Sequence, residues 1–126
     1  MIISESVIRI TLRLSFVFNL IAAYLVAVPG SMLAQFAGFT LSSSALHTGL
    51  AALMVAALGL AYGWMAQQPV INRPMLAFGG LVKGSAFALF FVQWLFDAVT
   101  GRFVLFAVVD IVLAIIWLSW LFKTRQ

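Results

Sequence analysis

Two ionisable residues, Lys83 and Asp110, stand deep inside long apolar stretches of the chain. A lysine or aspartate at the centre of a membrane-spanning helix costs about 2.5–3.5 kcal/mol on insertion scales, so its presence asks for a reason. Depth follows from the helical rise of about 1.5 Å per residue. On the spans defined below, Lys83 lies about 14 Å from the cytoplasmic end of the third span, and Asp110 about 10 Å from the outer end of the fourth. In a hydrocarbon core of about 30 Å the two differ in depth by roughly 6 Å. A lysine stem covers that gap, which predicts a Lys83–Asp110 pair between adjacent helices. Three roles are open to it: a mutually neutralised structural clasp, a proton-relay or ligand-binding site, or a lysine snorkelling alone toward the cytoplasm.

A second polar group falls near the outer face. His47 opens the second span, Gln93 and Asp97 would share one face of the third, and Arg102 follows in the next loop. The plain reading is interfacial solvation with an Asp97–Arg102 loop pair. The sharper one is a shallow outward site in which His47 titrates. A single histidine and no cysteine argue against a metal centre or a bis-histidine haem within one chain, and against thiol chemistry. No catalytic, cofactor-binding or metal-binding residue is expected. Asn19 and Tyr62 are expected to make interhelical hydrogen bonds.

These residues sit in a chain of 126 amino acids that is 65% hydrophobic and 8% charged, with a mean hydropathy of +1.18. Soluble domains carry about 25% charged residues, and a small soluble fold could not hide so much apolar surface. The composition therefore predicts an all-α integral membrane four-helix bundle, one transmembrane domain over residues 1–126, with no soluble domain and no nucleic-acid partner. The spans are residues 12–28 (with a helical lead-in holding Arg9 and Arg13), 45–66, 74–99 and 103–122. The first is read as a retained span rather than a cleaved leader.

The net charge of +4 comes from seven basic residues set against three acidic ones. Arg9, Arg13, Arg73, Lys123 and Arg125 fall on one side of the spans and Arg102 on the other, so the positive-inside rule places both termini in the cytoplasm. Trp64, Trp117 and Trp120 then fall at the inner interface and Trp94 near the outer one. The connection over residues 29–44 has no Lys or Arg but carries Met32, Leu33, Phe36 and Phe39 at helical spacing. It is expected as a short interfacial or re-entrant piece between the first two spans, with Ser42, Ser43 and Ser44 offering an N-cap for the second.

Packing signals are the small residues. Gly59 with Gly63, and Gly80 with Gly84, have the spacing that lets helix backbones approach closely in lipid. The second and third spans are joined by a short turn, so their small faces are expected to meet, with homo-oligomerisation through one of them as the competitor. No internal repeat is apparent from the residues.

Arg13 with Phe18-Asn19, Gly59 to Gly63, Asn72-Arg73, Gly80 with Lys83, and Asp110 followed by Trp117 together resemble small DoxX-like four-helix bacterial inner-membrane proteins. The resemblance runs the length of the chain and implies architecture more than activity, with some such proteins similar to accessory subunits of membrane oxidoreductases. The expected function is a non-catalytic accessory or assembly subunit, or a scaffold, in the inner membrane, contacting lipids and a protein partner or further copies of itself. The alternatives are a small oligomeric transporter or channel using Lys83 and Asp110, and a lipid- or quinone-binding subunit suggested by 12 Phe, 4 Trp and 2 Tyr.

Overall fold

The computed structural model describes residues 4–28, 31–37 and 45–124, which form five helices and, among these residues, no strand. They are α1 (Glu5–Ala27), α2 (Met32–Phe36), α3 (Ala45–Gln67), α4 (Arg73–Leu95) and α5 (Gly101–Lys123). Each of the four long helices has 23 residues, or about 35 Å at the helical rise, enough to cross a core of about 30 Å. All four are apolar enough to do so. The protein is an all-α, multi-pass membrane four-helix bundle.

Local chemistry sets the helix starts. Ser4, Asn72 and Thr100 stand at N-caps, each accepting a hydrogen bond from a backbone N–H three residues on, which satisfies a donor that the first turn leaves unpaired. Pro74 falls in the first turn of α4, where a missing N–H costs nothing. Arg9 and Arg13 belong to α1 itself, which begins well before residue 12. The third span ends earlier than residue 99: the Ala98 N–H closes back on the Gln93 carbonyl at 2.8 Å around Asp97 at φ 60°, a left-handed stop of Schellman type. Within the connection of residues 29–44, Met32–Phe36 is helical and its Met32, Leu33 and Phe36 side chains face outward. Phe39 and the serines at 42–44 lie outside the described residues.

The bundle is built from two hairpins. The α1 helix packs along α3 and α4 packs along α5, with α1 also touching α5. This corrects the expected meeting of the small faces of the second and third spans. A Cβ on Gly59 would stand 2.8 Å from the Asn19 Cβ of α1, and one on Gly63 would stand 3.0 Å from the Phe16 ring. Across the other hairpin, a Cβ on Gly80 would meet Leu118 of α5 at 2.9 Å. Each glycine receives a larger side chain from its own hairpin partner, so the two motifs are used separately. Gly84 is less tightly engaged, since its Cβ would reach Ala114 at 3.8 Å, an ordinary contact.

The two hairpins also repeat one another, against the expectation from the residues. Arg9 on α1 donates to the carbonyls of Ala66 at 2.9 Å and Gln68 at 2.6 Å, capping the C-terminal end of α3. Arg73 on α4 donates to the Leu121 carbonyl at 2.8 Å, capping α5 in the same way. Arg9 and Arg73 are as far apart in sequence as Asn19 and Lys83, a separation of 64 residues. Asn19 reaches Val55 on α3 as Lys83 reaches Asp110 on α5, and Tyr62 and Trp117 share the offset that separates Val55 from Asp110. The repeat lies in contact positions rather than in residue types: a glycine accepts Phe16 in one hairpin, whereas in the other the glycine and the large side chain have exchanged helices.

Candidate functional site

Between the hairpins the seam is filled by large side chains. The Tyr62 and Trp117 rings pack with centroids 5.2 Å apart, and Phe18 stacks on Phe106 at 4.9 Å. Lys83 and Asn19 join this seam from α4 and α1.

The Lys83 ammonium is 2.7 Å from Asp110 Oδ1 and donates to Asn19 Oδ1 at 3.1 Å. Asn19 turns its own Nδ2–H to the Val55 carbonyl at 3.1 Å. Three rings surround the same ammonium, with centroids 5.0 Å away for Tyr62, 5.7 Å for Phe18 and 5.9 Å for Trp117. The negative face of an aromatic ring attracts a cation most strongly where water is excluded, and the Lys83 side chain is only 4% exposed. One positive and one negative group are thus held together as a neutral pair. The three helices α1, α4 and α5 meet on it. Lys83 does not snorkel.

The outer polar residues are not drawn together in this way. His47, Asp97 and Arg102 are exposed and Gln93 is half-buried. Asp97 has left the helix that carries Gln93, so the two do not share a helical face. The expected Asp97–Arg102 pair is absent: among the described residues, ion pairs form between Arg9 and Glu5 and between Lys83 and Asp110. Arg102 lies instead along a crevice of α1, α2 and α5 beside Leu25, Phe36 and Phe106.

Two further expectations are revised. Tyr62 is buried, yet its hydroxyl has no hydrogen-bond partner among the described residues. Trp117 is not an interfacial anchor: it is fully buried, and its indole N–H donates to Thr11 Oγ1 at 2.9 Å. Trp120 does lie near the basic end, under the Arg73 guanidinium at 5.2 Å, and Trp64 is exposed. Thr11, Ser15 and Asn19 form a buried polar stripe on α1, repeating every four residues and therefore on one face of the helix. That spacing was the available signal for Thr11 and Ser15.

Beside the ion pair lies a cavity of about 140 Å³. Asn19, Tyr62, Lys83 and Asp110 form its polar side, and Phe18, Phe90, Phe103 and Phe106 are among its aromatic walls. Comparison of the chain with protein-family models, with curated proteins and with solved structures finds no match.

Proposed function

We propose that the protein is a non-catalytic inner-membrane protein, with both termini in the cytoplasm, that serves as an accessory or assembly subunit of a larger membrane complex. This reading extends the resemblance to DoxX-like proteins. The observation that supports it is the closure of the interior ionisable groups on one another. Lys83 and Asp110 neutralise one another, and Lys83 also donates to Asn19, within a mostly apolar surround. Pathways for ions or protons are built from successions of polar groups; here the two ionisable side chains close on one another and on Asn19, and the remaining polar groups of the α1 stripe, Thr11 and Ser15, carry no charge. The common location of Arg9 and Arg73 at one end of the bundle supports the orientation, by the positive-inside rule.

Transport through an oligomer is the second reading, favoured by the cavity against the pair. Purification in mild detergent followed by native mass spectrometry separates the two. A stable complex with a different polypeptide is the expected result. A homo-oligomer with no other subunit overturns the accessory role.

A further inference from the structure

We propose that the crevice between α1, α2 and α5 seats one anionic phospholipid, with its phosphate on Arg102 and an acyl chain along the apolar walls. The guanidinium comes first. Arg102 lines the crevice and is exposed, and Asp97 at the same end of the bundle is not in ion-pair reach of it. Among the described residues it is the one arginine or lysine at this end. Arg9, Arg13, Arg73 and Lys123 belong to the opposite half of the bundle, and Lys83 is held by Asp110 at the centre. The planar fork of donors on a guanidinium matches the oxygens of a phosphate.

The walls come second. Ile21 and Leu25 stand one turn apart on α1, Leu33 and Phe36 on α2, and Leu105 and Phe106 follow Arg102 on α5. Leu33, Phe36 and Leu105 are exposed, so the described residues leave this apolar surface uncovered. Ala34 is fully buried, which seats the short α2 against the bundle as one lip of the crevice. The crevice measures about 440 Å³, within the roughly 300–1,000 Å³ of ligand pockets.

Depth decides for a lipid over a free anion. Arg102 is the second residue of α5, about 15 Å from the helix midpoint at the helical rise, which is the edge of a hydrocarbon core about 30 Å thick. Leu105 and Phe106 follow about 4–6 Å deeper, and Ile21 lies about 9 Å inside the end of α1. A phospholipid has the same order, phosphate at the interface and acyl chain inward. A headgroup cation would stand against the guanidinium, so charge complementarity selects a lipid with one negative charge and no positive one. The site depends neither on the accessory role nor on the orientation of the chain.

The test is photocrosslinking of the full chain in phosphatidylcholine nanodiscs that contain a trace of phosphatidylglycerol with a diazirine in one acyl chain. The control probe is phosphatidylcholine with the same diazirine chain. Peptide mass spectrometry quantifies adducts on residues 21–25, 32–37 and 101–106. The phosphatidylglycerol probe should label these segments about fivefold more than the control, the worth of one basic residue at an anionic surface. Unlabelled phosphatidylglycerol should displace it and inorganic phosphate should not. Arg102→Gln should reduce its labelling to the control level, while adducts around the exposed Leu50 and Leu53 of α3 and the thermal midpoint in detergent stay unchanged. Arg102→Lys keeps the charge and should retain most of the preference. Equal labelling by the two probes, a preference that survives Arg102→Gln or is lost equally in Arg102→Lys, or displacement by inorganic phosphate overturns the proposal.

Discussion

Asp97 holds φ at 60°, in the left-handed region where a Cβ crowds the following carbonyl at a cost of roughly 1–2 kcal/mol for most side chains. Aspartate tolerates the region better than most, and glycine has no Cβ to crowd. Asp97→Gly should therefore leave the thermal midpoint in detergent unchanged or raise it. Asp97→Val should lower stability by about 1–2 kcal/mol. A fall in both variants, with Gly the worse, would show that the carboxylate itself is needed there. The contrast with Lys83 and Asp110 explains what was legible at this scale. Their depth follows from counting along two helices, and a buried charge has few places to go except another charge. Asp97 sits at a helix end, where one residue of difference decides whether a side chain shares the helical face. Trp117 misled for a related reason: an indole with one polar N–H suits the interface and a buried threonine equally well, and Thr11 decides between them.

Glycines determine how closely the elements approach. At Gly59 an added Cβ would lie 2.8 Å from Asn19 Cβ, an atom fixed to the α1 backbone. The helices must separate to admit it, and overpacking of this kind costs typically 1–3 kcal/mol. Nothing lies within 4 Å of the corresponding position at Gly49, where alanine gains up to about 1 kcal/mol in helix propensity. Gly59→Ala should lower the melting temperature, while Gly49→Ala should hold or raise it and Gly84→Ala should change it little. Comparable losses at Gly49 and Gly59 would contradict the hairpin packing. Small-residue spacing marked these faces correctly as narrow, yet it carries no information on which large side chain will fill them. The partners proved to be Phe16 for Gly63 and Leu118 for Gly80, both supplied within a hairpin. The same physics hid the repeat, because a knob and its hole can exchange helices while the contact survives.

For the whole molecule, orientation and cohesion are separate questions. Orientation is tested by single cysteines in this cysteine-free chain. Ser4→Cys and Gln68→Cys should be shielded from an impermeant thiol reagent in intact cells, and Ser43→Cys in the first connection should react. Labelling of the Gln68 position from outside would contradict cytoplasmic termini. Cohesion depends on the seam between hairpins, where Lys83 binds Asp110 within one hairpin and Asn19 in the other.

If this polar centre serves folding as a neutral unit, a double-mutant cycle on Lys83 and Asp110 will show it. Removing one member of a buried pair strands a charge and costs about 3–5 kcal/mol, whereas replacing both with apolar residues is often neutral or stabilising. Lys83→Met and Asp110→Leu should each lower the melting temperature of the purified chain in detergent. The double variant should recover most of the loss. A double variant as unstable as the two single losses added together would contradict it.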